Sequence, residues 1–163
     1  MDEVRLCLAA QVYIWLSSER RRDVPVADTH LTQSGPLILI VEDDLGTRAM
    51  YRDCLSHSGY RTADAHNGFQ ALEKAFELRP DAVITDLAVP GMDGFEFCRA
   101  LQGSAVTRNI PILAITGHSE YLNQPDRFRH AGISHVLIKP CPPEVMVEQL
   151  RRLLNGEAGQ LSA

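Results

Sequence analysis

Asp43, Asp86, Thr116 and Lys139 supply two carboxylates, a hydroxyl and an ammonium, a set able to hold a hard cation and a phosphoryl group together. Each stands at or just after the end of a short apolar run: Leu37-Ile38-Leu39-Ile40-Val41, Ala82-Val83-Ile84-Thr85, Ile112-Leu113-Ala114-Ile115 and Val136-Leu137-Ile138. The first run ends in three successive acids, Glu42, Asp43 and Asp44. If the first and third strands are neighbours, carboxylates face each other across one cleft, and a divalent cation relieves their repulsion. Mg2+ suits such a place, because it takes one or two carboxylates and completes its shell with water and phosphate oxygens. Strand alternation would put Glu42 and Asp44 on one side and Asp43 on the other, so all three are not expected to be ligands. Asp86 can serve as a nucleophile, since carboxylates form aspartyl-phosphates. The protein's part in phosphoryl transfer is to position groups and neutralise charge, which gives work to Thr116 as a donor and to Lys139 as a cation. The Lys139–Pro140 bond is a candidate for the rare cis form, which would aim the lysine inward. Taken singly, each residue has an ordinary role: acids after a strand cap the next helix, and a strand-end hydroxyl is a common cap.

The elements that must position these groups follow from the alternation of apolar runs with helical stretches. Strands buried on both faces read as continuous apolar runs and imply a parallel sheet, which binds ligands at the carboxyl ends of its strands. A first helix over roughly 46–57 closes at Gly59. A strand near 60–65 leads to Asn67-Gly68 and a helix through Leu78, ending before Pro80. The third strand ends at Asp86, and the turn Pro90-Gly91-Met92-Asp93-Gly94 precedes a helix over about 95–102. Pro125 belongs in a first turn, so the next helix is short, from about 125 to Ala131 with a stop at Gly132. The fifth strand ends at Lys139-Pro140, and a last amphipathic helix over about 143–154 offers Val145, Leu150, Leu153 and Leu154 as its apolar side. Right-handed crossovers then favour a doubly wound α/β fold, a five-stranded parallel sheet in the flavodoxin-like order 2-1-3-4-5 with helices on both faces.

Residues 1–35 stand outside this rhythm. Val4, Leu8, Val12 and Trp15 predict a helix over 4–19, and Pro25, Gly35 and Pro36 mark 23–36 as a linker. This extension could dock on the main domain, join a partner, or reflect an upstream start codon. Its apolar run is shorter than the roughly 20 residues a spanning helix needs, and acids rather than cations precede it, so neither membrane insertion nor export is expected. A net charge of -5 argues against a nucleic-acid binder, and Arg20 to Arg22, Arg127 with Arg129, and Arg151-Arg152 read as solvated surface. Cys7, Cys54, Cys98 and Cys141 lack any metal or disulfide spacing and read as buried, reduced thiols of a cytoplasmic protein.

The stretch from about 36 to 155 resembles a receiver domain of two-component response regulators. The matching segments are Ile38-Leu39-Ile40-Val41-Glu42-Asp43-Asp44, Asp86 through Gly94, Ile115-Thr116-Gly117 and Lys139-Pro140, in order and at receiver-like spacing. The resemblance implies that Asp86 is the phospho-acceptor and Mg2+ the cofactor. It makes Asp43 and Asp86 direct ligands, with the Ala88 carbonyl a further position and Glu42 acting through water. Thr116, Gly117 and Lys139 would form the phosphoryl-binding switch. The donor would be a histidine kinase or a histidine phosphotransfer protein, the downstream partner a protein, and the chain would promote only its own phosphorylation and dephosphorylation. Residues 156–163 are a tail too short for an output domain, so a stand-alone receiver is expected. Three departures stand out: Val136 where receivers often carry an aromatic, Cys141 where Phe is common, and Pro125 in the region of a signalling helix. Two other readings are a pseudo-receiver that binds partners without phosphorylation and an aspartyl-phosphate phosphohydrolase. The second would want an acid two residues after Asp86, where Ala88 stands.

Overall fold

The computed structural model describes residues 35–157; the helix expected over 4–19 and nearly all of the linker over 23–36 lie outside the described residues, as do residues 158–163. Strands β1 (Leu37–Val41), β2 (Arg61–Ala65), β3 (Ala82–Thr85), β4 (Ile112–Thr116) and β5 (His135–Ile138) alternate with helices α1 (Leu45–His57), α2 (Gly68–Leu78), α3 (Gly94–Gln102), α4 (Pro125–His130) and α5 (Pro143–Leu154). All strand pairs are parallel, and the order β2-β1-β3-β4-β5 is the one read from the sequence.

The period of two along each strand builds two apolar layers. Ile38, Ile40, Ile84, Leu113 and Ile115 face Tyr51 and Leu55 of α1 and Met146, Leu150 and Leu153 of α5. Leu39, Val41, Val83, Ile112 and Ala114 face Ala71 and Ala75 of α2, Phe95, Cys98 and Leu101 of α3, and Phe128 of α4. Full burial of one such aliphatic or aromatic side chain contributes about 1.5–3 kcal/mol, so the central strands anchor the strand ends firmly.

Helix starts follow local chemistry. The Asn67 side chain accepts from the Gln70 amide, and the Asp93 side chain from the Phe95 amide. A Cβ on Gly94 would lie 2.5 Å from Leu87 Cα, so only glycine lets α3 start against the loop that follows β3.

Three expectations are corrected. The apolar side of α5 is Met146, Leu150 and Leu153, spaced by four and three, whereas Val145 falls off that stripe and is 41% exposed. Pro125 starts α4 as expected, but a 3-10 helix over Ser119–Asn123 precedes it, and α4 ends at His130. Of the cysteines expected to be buried, Cys98 is, while Cys54 and Cys141 are half-buried; these three are free thiols. Among the described residues no helix is long and apolar enough to cross a membrane.

Candidate functional site

The parallel register brings the carboxyl ends of β1, β3, β4 and β5 to one edge of the sheet. Glu42 follows β1 and is almost wholly buried, at 2% exposure. Asp86 follows β3, and its amide donates to the Val41 carbonyl at 2.9 Å, which continues the β1–β3 ladder past the strand. Thr85 Oγ1 donates to the Asp86 carbonyl at 2.7 Å, and the Ala88 amide donates to Asp86 Oδ1 at 2.9 Å. Asp86 is therefore held at its backbone by Val41 and Thr85 and at its carboxylate by the Ala88 amide.

Lys139 reaches across from the end of β5. Its Nζ donates to Asp86 Oδ2 at 2.6 Å and to Glu42 Oε2 at 2.7 Å. The Lys139–Pro140 bond is cis, as the sequence suggested. Burial by itself would favour a neutral lysine, but the hydrogen bonds it donates to Asp86 and Glu42 outweigh it and hold the ammonium well above its ordinary pKa. For Glu42 the balance runs the other way: burial raises its carboxyl above the usual range, more than Lys139 offsets.

Thr116 is fully buried at the end of β4, and its Oγ1 accepts from the His118 amide at 3.2 Å. Gly117 is exposed, and a Cβ there would meet nothing within 4 Å, so the backbone beside Thr116 opens directly to solvent. Beyond it, Tyr121 packs edge-on against Phe95 with ring centroids 5.4 Å apart. The Arg127 guanidinium lies 3.9 Å from the Phe95 centroid and 5.2 Å from that of Tyr121. An aromatic thus sits on this side of the site even though Val136 occupies the position where the resemblance called for one.

The three acids after β1 separate in a way that strand alternation does not give. β1 ends at Val41, so the period of two no longer applies beyond it. Glu42 turns into the core, whereas Asp43 and Asp44 are exposed. Asp44 takes the ordinary role of helix cap: its Oδ1 accepts from the Thr47 amide at 2.7 Å, and that bond lowers its pKa. Of the four residues expected to converge, Lys139 and Asp86 touch, with Glu42 as the third member. Thr116 ends the neighbouring strand, and Asp43 borders Glu42 on the solvent side.

Two contributors were not foreseen. Thr85 reads as the last residue of a strand, and nothing in its type announces a bond to Asp86. Arg48 Nη1 donates to the Glu42 carbonyl at 2.5 Å and to the Asp43 carbonyl at 3.2 Å, fastening the acid turn to α1. A lone cation in the first turn of a helix, where acids are favoured, was the available signal.

Glu42 and Asp86 share one ammonium and Asp43 stands exposed next to Glu42, a donor chemistry that suits a hard cation such as Mg2+, which needs only one or two carboxylates with water. Among the described residues no three His, Cys, Asp or Glu side chains already form a metal-holding group.

The sequence profile of the response regulator receiver domain matches residues 38–151. The chain belongs to that family. The polar-differentiation response regulator DivK of Brucella anthropi is 31% identical over 118 residues, which cover 72% of this chain and 95% of DivK. The response regulator MprA of Mycobacterium tuberculosis is 36% identical over 118 residues, 72% of this chain but 50% of MprA. The chain thus spans about half the length of the first curated relatives it matches. Among solved structures, the receiver domain of a sensor histidine kinase from Pseudomonas aeruginosa superposes with a TM-score of 0.68 at 28% identity, covering 75% of this chain and 99% of that one. That structure has a magnesium ion coordinated in its active site cleft.

Proposed function

We propose that this receiver takes a phosphoryl group on Asp86 from a phosphohistidine of a histidine kinase or histidine phosphotransfer protein. The observation that carries the reading is the paired bonding of Lys139 Nζ to Asp86 and Glu42. One Asp86 carboxylate oxygen bonds to phosphorus, the P–N bond breaks, and its electron pair returns to the donor imidazole. Mg2+ would be held by Asp43, Asp86 and the Ala88 carbonyl, with Glu42 acting through water, and it supplies charge neutralisation for the phosphoryl oxygens. Lys139 is already charged and oriented, so it can shift to a phosphoryl oxygen without gaining a proton. The Ala88 amide, now on Oδ1, is a second preset donor. Thr116 Oγ1 can rotate to donate to the phosphoryl group while loosening its bond to the His118 amide, and the open backbone at Gly117 gives that turn room.

Phosphorylation replaces a carboxylate of one negative charge with a phosphoryl group carrying about 1.5–2, and its readout is a population shift between two arrangements of the Thr116 side. A protein partner would read that shift. Carrying such an equilibrium from mostly off to mostly on takes roughly 5.5 kcal/mol of differential stabilisation. Ala88 in place of a second acid leaves the phosphohydrolase reading without its acid/base.

Intact mass after incubation with acetyl phosphate and Mg2+ tests the proposal. A single phosphoryl adduct is expected, removed by hydroxylamine and absent from Asp86→Ala and from the Mg2+-free sample. No adduct in the parent protein would overturn phospho-acceptance and favour a pseudo-receiver.

A further inference from the structure

A cavity of about 270 Å3 opens beside β2, outside the Asp86 cleft. Its wall carries Arg48 and Arg52 from α1, Asp64 and His66 from the end of β2 and just beyond it, and Gln70 and Lys74 from α2. Three permanent cations therefore surround one carboxylate, in a chain whose net charge is -5. The carboxylate answers them weakly. Asp64 Oδ2 accepts from Arg52 at 3.1 Å, but Oδ1 is buried without a hydrogen-bond partner, and Lys74 Nζ turns to the Asp64 carbonyl instead. Arg48 is turned to the carbonyls of Glu42 and Asp43. Asp53 stands 3.7 Å from Arg52 Nε outside the wall, so the lining's cations still outnumber the carboxylates beside them, and positive charge concentrated in a concave site is the footprint of an anionic ligand.

The chemistry narrows the class. Two guanidiniums offer planar, forked donors that match phosphate oxygens, Lys74 adds a point charge, and Gln70 and His66 add neutral polar groups. The volume falls just below the ~300–1,000 Å3 of sites for drug-sized ligands, which leaves room for a phosphate or pyrophosphate head. We propose that this cavity binds a small phosphate-bearing anion at a site separate from Asp86.

The site stands independently of the phosphorylation reading, yet it touches the same acids. Arg48 borders the cavity and holds the backbone of Glu42 and Asp43, so a ligand that draws Arg48 outward changes the support of the acid turn. Any such coupling is reciprocal between the two sites.

A titration of the full chain with inorganic pyrophosphate, without divalent cations and followed by amide 1H–15N spectra, tests the proposal. Saturable shifts centred on the Ala65, His66 and Gln70 amides are expected. Arg52→Gln and Lys74→Gln should each weaken binding about tenfold, the loss expected for one charged hydrogen-bond partner. Arg52 is exposed and Lys74 half-buried, and retained amide dispersion reports that each variant is folded; if one fails, the other gives the answer. The proposal is overturned if the shifts do not saturate, if folded variants bind as well as the parent, or if the largest shifts fall at Ala88 and Thr116. Equal saturation of the same amides by acetate would overturn the assignment to phosphate.

Discussion

The two sides of the Asp86 cleft are held in opposite ways. On one side Lys139 ties Glu42 and Asp86, partners 97 and 53 residues away in the chain, so the contact exists only when β1, β3 and β5 are assembled. On the other side Thr116 is held by the amide of His118, two residues on, and the chain then leaves the sheet through an exposed glycine and a 3-10 helix. Long-range contacts are coupled to global stability, while a local one can exchange without unfolding anything. In the proposed mechanism the difference divides the work: the Lys139 side keeps the Asp86 carboxylate in place, and the Thr116 side is the one that responds.

The comparison breaks most visibly at Lys139. Lys139→Met leaves Glu42 and Asp86 buried with no cation between them, and should cost about 3 kcal/mol in urea unfolding at neutral pH. Thr116→Val removes one local hydrogen bond and should cost about 1 kcal/mol. Equal costs for the two variants would remove the distinction between a fixed and a responsive side.

Tyr51 sharpens the account of the fixed side. Burial in the α1–α5 layer raises its phenol from 10.0 to about 12. A raised folded value means that this contribution is complete below pH 10 and is lost as pH climbs from about 10 to about 12. Two units correspond to about 2.7 kcal/mol at most. Tyr51→Phe should flatten that part of the alkaline stability curve. The loss that remains should include the part due to Lys139, whose pKa is also raised, and combining Lys139→Met with Tyr51→Phe should remove it. An absorbance titration in which every tyrosine ionises near pH 10 would contradict the burial argument.

A smaller effect is expected on the responsive side. Arg127→Ala removes the cation from the Phe95 and Tyr121 rings, worth about 0.5–1 kcal/mol at a partly exposed site. Its larger consequence should be in amide spectra, where the shifts at His118 and Tyr121 change and those at Ala88 and Lys139 do not. Shifts spread evenly over both sides would argue that the two move as one.

The strand ends were legible in sequence and the turns beyond them were not, and the reason is physical. Continuous apolar runs announce parallel strands, and a polar residue ending such a run must sit at the sheet's edge, so Asp86, Thr116 and Lys139 could be placed from pattern alone. Glu42, Asp43 and Asp44 could not, because alternation stops with β1 at Val41; Glu42 then turns to the distant Lys139, while Asp44 caps α1. Pro125 announced a short α4, but not the 3-10 turn before it, whose contacts depend on Phe95 from another element. Thr85 bonds to a backbone carbonyl, which leaves no mark in residue type, and Arg48 left only the sign of a cation where acids are favoured.

The central claim is that Asp86, and not the acids beside it, carries the phosphoryl group. Borohydride reduction of the protein after incubation with acetyl phosphate and Mg2+, followed by peptide sequencing by mass spectrometry, tests it most directly, because an acyl phosphate is reduced to the alcohol. The account predicts homoserine at position 86 and unmodified acids at Glu42, Asp43 and Asp44. Reduction at any of those three with Asp86 intact would contradict it.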